Sequence, residues 1–216
     1  MPEPPIDLNG LCEAILTGNA DQSVEVTRSA LQVGVDPQQL VNEYMIPAME
    51  EAGQRFERNE FFVPELLIAA RAMKGALALI RPLLAEQGVE PVGRVVIGTV
   101  KGDLHDIGKG LVASMLEGGG FEVVDLGVDV PASKFVAEAI GHNANIVAVS
   151  ALLTTTMVGM QDVVDALRES EIRDRCKIIV GGAPVTQQFA DSIGANGFSK
   201  NANSAVALAR SIVTSA

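Results

Sequence analysis

The stretch RVVIGTVKGDLHDIGKGLVASMLEGGGFEVVDLG, residues 94–127, decides the fold of this chain. It opens on a short β-branched run, passes through a glycine-rich loop and takes up a helical period from about Ile107 to Leu116. It stops at Gly118–Gly120 and returns to a second β-branched run. A strand, a helix and a strand in that order make a crossover, the connection that parallel strands require. The unit recurs: NIVAVSAL precedes MVGMQDVVDALRES, CKIIVGG precedes VTQQFADSIG, and ANGFSK precedes SAVALARSIV, while FEVVDLG itself leads into ASKFVAEAIGH. Five strands alternating with helices predict a doubly wound parallel sheet with helices on both faces. Ligands of such sheets sit beyond the carboxyl ends of the strands. VKGDLHDIG, LGVDVP, SALLTTT and VGGAP all fall there.

Upstream of about residue 85 the period is helical throughout. Leu8, Leu11, Ile15 and Leu16 mark a first helix; TGNAD breaks it, with Asp21 expected to cap a second that carries Val24, Ala30 and Leu31. Asp36 and Pro37 repeat the start signal for a third helix through Leu40, Tyr44 and Met49. Pro64 opens a fourth, in which Leu66, Ala70, Met73, Leu77, Ile80 and Leu84 keep a three-to-four spacing. Four amphipathic helices with short connections predict a small antiparallel bundle. AEQGVEPVG, residues 85–93, then reads as a linker.

The chain has 216 residues and 48% hydrophobic content, which suits one large or two small globular domains. A net charge of −11 argues against nucleic acid or an anionic membrane as partner. Cys12 and Cys176 are too few and too far apart for a disulfide framework or a CxxC site, which fits a reducing compartment. The opening MPEPPIDLNG lacks the basic start and apolar core of a secretion signal, and no apolar run approaches the roughly 20 residues of a membrane span. A cytoplasmic protein is expected.

The loop GDLHDIGKG, residues 102–110, places two acids around one histidine between glycines. It is not a P-loop: counting back from Gly108-Lys109 puts Asp103 where the first glycine belongs and Gly110 where Ser or Thr belongs. Nor does GxGxxG match. His105, His142 and two remote cysteines cannot furnish a zinc shell without many carboxylates. A metal already held by a macrocycle needs just one axial imidazole. Such a ligand donates its other ring N–H to a carboxylate, and Asp103 lies two residues away. Gly108 would let the following helix start close under a bulky ring. The other reading of the loop by itself is that Asp103 caps the helix and His105 is a solvated loop residue.

VKGDLHDIGKG resembles the Asp-x-His-x-x-Gly signature of cobalamin-binding proteins, and VVDLGVDVP, the Ser150-x-Leu152 pair and Gly181-Gly182 follow in the family's order. The preceding helices are similar to the cap domain of methionine synthase and of corrinoid methyl carriers. The resemblance implies a four-helix bundle cap at residues 1–88, followed at 89–216 by a Rossmann-like (flavodoxin-like) five-stranded α/β cobalamin-binding domain. It makes His105 the lower axial ligand of cobalt in place of the cofactor's own base, with Asp103 behind it and Thr156 as the third, hydroxyl member. Gly102, Leu104, Asp106, Ile107 and Gly108 would border the corrin. Ser150, Leu152, Thr154, Gly181, Gly182 and Ala183 would line the slot for the nucleotide tail, and Phe56 and Val63, in RFERNEFFVPEL, would cover the methyl-bearing face. Taken singly, each of these has a plainer reading: strand ends, helix caps and turns for the slot residues, hydrophobic core or a staple around Pro64 for Phe56 and Val63. Asp106 and Lys109 receive no individual role. Asn196 and Phe198 stand where relatives often carry Asp and Tyr, and Thr156 where methionine synthase has Ser.

With this cofactor and no further domain, the resemblance implies a shuttle alternating between cob(I)alamin and methylcobalamin. The partners would be a substrate:corrinoid methyltransferase, a methylcorrinoid:acceptor methyltransferase delivering to tetrahydrofolate or a thiol, and a reductive activator protein. The linker would act as a hinge. Methanol, methylamine, betaine and aryl methyl ethers stay open as donors. The competing readings are the cobalamin subunit of an adenosylcobalamin mutase, a cobalamin-responsive regulator and, without cobalamin, a receiver-like signalling domain.

Overall fold

The computed structural model describes residues 7–214. The first six residues of MPEPPIDLNG, part of the stretch read for a secretion signal, lie outside the described residues. The chain forms two compact units, Met1–Glu90 with Glu117–Gly120, and Pro91–Leu116 with Phe121–Ala216. Among the described residues no helix is long and apolar enough to cross a membrane.

The first unit contains α1 (Asn9–Leu16), α2 (Ala20–Gln32), α3 (Pro37–Gln39), a π-helical turn (Leu40–Met45), α4 (Ile46–Glu57) and α5 (Val63–Glu86). Two expectations are corrected. Asn19, not Asp21, caps α2: its side chain accepts from the Gln22 N–H at 3.1 Å, while Asp21 sits in the first turn. The third helix is one rod, but not a uniform one. Pro47 has no N–H and its ring crowds the carbonyl one turn back, so the backbone widens to a π turn just before it, the Ile46 N–H reaching back to Val41 O. The expected start signals at its other end hold, with the Asp36 side chain accepting from the Gln39 N–H and Pro37 in the first turn.

The inner face of α2 differs from the apolar pattern. Ser23, Thr27 and Ala30 are the buried residues, while Val24 and Leu31 are half-buried. Facing them, α5 buries Ala69, Ala72 and Ala76, and a Cβ on Gly75 would lie 3.2 Å from Val24 Cγ2. Small residues let the two backbones approach closely, and the Ser23 hydroxyl, 2.8 Å from Ala72 O, spans the gap. At the start of α5 the Glu65 carboxylate accepts from the Phe62 N–H at 2.9 Å, satisfying an N-cap donor that has no helical turn before it to bond to.

The second unit alternates β1 (Arg94–Thr99), α6 (Ile107–Gly118), β2 (Glu122–Asp125), α7 (Ala132–Gly141), β3 (Ile146–Ser150), α8 (Val158–Arg168), β4 (Lys177–Gly181), α9 (Gln187–Ile193), β5 (Gly197–Ser199) and α10 (Ala202–Thr214). All strands are parallel, in the order β2-β1-β3-β4-β5. The order reverses between β1 and β3, so their following loops diverge and open a crevice at their carboxyl ends. The central strands are buried apolar runs, as a sheet covered on both faces requires. Thr99, Ser150, Gly181 and Ser199 pair in one register row across the ends of four strands. The floor of the crevice is therefore lined by small residues.

Cys176 belongs to the core packed around β3 and β4, and burial pushes its thiol up to about 11. A thiol that holds its proton more tightly when folded stabilises the fold below its unfolded pKa and loses that contribution as pH rises through 9 to 11. Urea titrations should show wild-type stability falling over that interval by on the order of 2 kcal/mol more than that of Cys176→Ala. Equal slopes would show that the thiol stays out of the linkage.

Candidate functional site

The site forms where the loops after β1 and β3 meet. Asp103 is fully buried there, and both its oxygens are occupied. Oδ1 accepts from the His105 main-chain N–H at 3.1 Å and lies 2.7 Å from His105 Nδ1. Oδ2 accepts from the Leu152 N–H at 2.8 Å and the Thr156 hydroxyl at 2.7 Å, with the Leu153 N–H at 3.4 Å. Burial alone would raise the Asp103 pKa, but the bonds from Thr156, Leu152 and His105 outweigh it and hold the carboxyl well below the usual carboxylate range. An ionised carboxylate can only accept, so His105 Nδ1 carries a proton, and in the neutral ring the lone pair is on Nε2. The imidazole is half exposed, with 51% of its side chain open to solvent.

Three further contacts hold this loop. The buried Thr99 hydroxyl donates to His105 O at 2.9 Å. Asp106 O accepts from the Gly110 N–H at 2.7 Å, which starts α6 directly behind the histidine. Lys109, buried in the first turns of α6, donates to both oxygens of Asp125 at the end of β2, at 2.6 and 2.5 Å. That gives Lys109 the structural role its sequence did not reveal. Thr99 was equally unannounced, since one hydroxyl at the end of an apolar strand carries no pattern.

The loops around the imidazole expose several large apolar side chains, with Asp106 and Thr154 exposed among them. Leu104 and Ile107 beside it, and Leu152, Leu153 and Val158 on the loop and helix after β3, are exposed. Gly108 is exposed, and a Cβ there would meet no protein atom within 4 Å, so nothing in the chain itself demands glycine at this position. An oriented imidazole nitrogen amid apolar side chains and open space fits a flat, largely apolar macrocycle carrying a metal. Among the described residues no group of three His, Cys, Asp or Glu could hold a bare ion.

The other expected residues are distributed as follows. Ser150 and Gly181 are register partners on the crevice floor, and Thr154 and Ala183 are exposed on the adjoining loops. Gly182 is dictated by the backbone: φ is +139°, and a Cβ would fall on the carbonyl of Ala151. Phe56 is half-buried and Val63 exposed, both in the helical unit, where Phe62 is exposed as well.

A B12 binding domain matches residues 93–207, and a second model of that description matches residues 7–81. The chain belongs to the B12-binding family. It is a cobalamin-binding corrinoid protein of the kind found in methyltransferase systems. The trimethylamine corrinoid protein 1 of Methanosarcina acetivorans is 43% identical over 93% of this chain and 94% of its own length. The dimethylamine corrinoid protein of Methanosarcina barkeri is 40% identical over 95% and 97%. Among solved structures, the methanol:cobalamin methyltransferase complex MtaBC of Methanosarcina barkeri contains a chain that superposes with a TM-score of 0.85 at 29% identity, covering 99% of this chain and 82% of that one.

Two substitutions test how the corrinoid protein holds this loop. Asp125→Ala strands a buried ammonium and should cost about 3 kcal/mol in urea unfolding, whereas Lys109→Met leaves a half-exposed carboxylate that water can solvate and should cost about 1. Equal costs would contradict that asymmetry. Gly182→Ala should leave little folded protein by circular dichroism, because neither the backbone angle nor the Ala151 carbonyl can yield cheaply.

Proposed function

We propose that this corrinoid protein carries a methyl group between a substrate:corrinoid methyltransferase and a methylcorrinoid:acceptor methyltransferase that delivers it to an acceptor such as tetrahydrofolate or a thiol. The observation that carries the reading is the buried, fully bonded Asp103 presenting a half-exposed imidazole among apolar side chains. When bound, cobalamin supplies a cobalt centre able to accept a methyl group and release it.

The chain's own residues would do the rest. His105 Nε2 would serve as lower axial ligand, replacing the cofactor's own base. Asp103 fixes the tautomer that leaves Nε2 unprotonated, and Thr156 and the Leu152 N–H fix Asp103 in turn. Gly102, Leu104, Asp106 and Ile107 would border the macrocycle, Gly108 leaving it room. Ser150, Leu152, Thr154, Gly181, Gly182 and Ala183 would line the slot for the displaced tail, and the small side chains of the Thr99–Ser199 row support such a slot. Residues 89–216 would form this binding domain, with residues 1–88 as cap and Phe56 and Val63 on its covering face.

The relatives support a division of labour. Chains this alike are named for trimethylamine and for dimethylamine, and a structural neighbour sits in a methanol complex. The donor is then selected by the partner enzyme, and a reductive activator would return over-oxidised cobalt to service. A cytoplasmic setting suits such partners.

Protein incubated with hydroxocobalamin and desalted should keep the cofactor's visible spectrum; a colourless product would sink the reading. In the Co(II) state, electron paramagnetic resonance should show coupling to one imidazole nitrogen, and His105→Ala should abolish it. Coupling that survives the substitution would exclude His105 as the ligand.

A further inference from the structure

The loop between β2 and α7 runs beside the end of β1. The Thr99 N–H donates to Gly127 O and the Val130 N–H to Thr99 O, both at 3.0 Å, and Val100 bridges Val130. At the tip of this loop Asp129 has φ of +54°, a left-handed conformation that Asp and Asn adopt more readily than other side-chain-bearing residues. So turned, Asp129 grips two consecutive residues of the histidine loop. Its Oδ1 accepts from the Gly102 N–H at 2.7 Å, and its own N–H donates to Asp103 O at 3.0 Å. The first is short and charge-assisted, the stronger class of hydrogen bond. Gly102, at φ +82°, is the third residue of a turn that the Asp103 N–H closes on Val100 O at 3.1 Å, and Asp129 holds its outward-facing N–H.

Asp103 is thus held from two sides. Its carboxylate is fixed by Leu152, Thr156 and His105, and its main chain by Asp129. An error in the placement of that peptide is passed to the carboxylate, and from there to the imidazole it orients. We infer that Asp129 is a positioning residue for the axial ligand, clamping the Gly102–Asp103 peptide so that His105 presents Nε2 at a fixed place. The inference rests on the reading of His105 as cobalt ligand.

Three variants of the full chain separate the side-chain bond from the backbone conformation. Asp129→Asn keeps an acceptor and the left-handed tendency. Asp129→Gly keeps the conformation and the main-chain bond to Asp103 but loses the acceptor. Asp129→Ala loses the acceptor and strains the turn. Each is loaded with cobalamin and reduced to Co(II), and the ratio of imidazole-bound to imidazole-free signal is read by electron paramagnetic resonance. Hydrogen exchange of the Gly102 amide is followed in the apoprotein. Asp129→Gly and Asp129→Ala should lower the ratio about tenfold and speed Gly102 exchange by a similar factor, with Asp129→Asn within about threefold of wild type. A wild-type ratio in Asp129→Gly would overturn the inference, as would a fall in Asp129→Asn as large as in Asp129→Gly. If Asp129→Ala fails to fold, the glycine variant decides alone. Wild-type protein without imidazole coupling would remove the ligand reading, and this inference with it. Wild-type coupling retained in full by the glycine variant would remove only the role of Asp129.

Discussion

The second unit depends on one buried negative charge. Asp103 sits where the sheet's strand order reverses, at the mouth of a crevice whose two loops diverge, and its carboxylate draws donors from both. An ionised group without such donors would be prohibitively costly at zero exposure. With them, it becomes the point at which the β1 and β3 loops are fastened together. The same bonds that keep it anionic leave it able only to accept, so the tautomer of His105 follows from the fold rather than from the histidine.

Around that point the sheet works as a rigid bench. Thr99 holds the His105 carbonyl, Lys109 ties the first turns of α6 to the end of β2, and Asp129 grips the peptide before the carboxylate. Each tie has one partner at a strand end or on a loop bonded to one. The loop of seven residues between β1 and α6 would wander without these ties, and the His105 ring with it. The apolar side chains beside the ring are exposed at a cost that a bound macrocycle removes.

The helical unit solves a different problem with different means. α2 and α5 meet through Ser23, Thr27 and a run of alanines with Gly75, so contact comes from close backbone approach more than from large side chains. The large apolar residues therefore flank that contact and do not fill its centre: Ala30 is buried, Val24 and Leu31 half-buried. The π turn before Pro47 is likewise invisible to a count of apolar positions, because it records how a continuing helix accommodates a missing N–H.

By itself the sequence determined the alternation of strands and helices, the four helical rods, the glycine-fenced loop and the Asp-x-His pair. These are legible because local periods of 2 and 3.6 and the spacing of turn residues depend on nearest neighbours along the chain. The tertiary structure decided which residues serve that pair: Thr99, Lys109 with Asp125, and Asp129 lie up to 27 residues from their partners, and no local period pairs them. It also decided that Gly182 is required by the Ala151 carbonyl, while Gly108 faces open space. Two glycines identical in the sequence thus differ in kind, since what a glycine makes room for is set by the groups that folding brings against it.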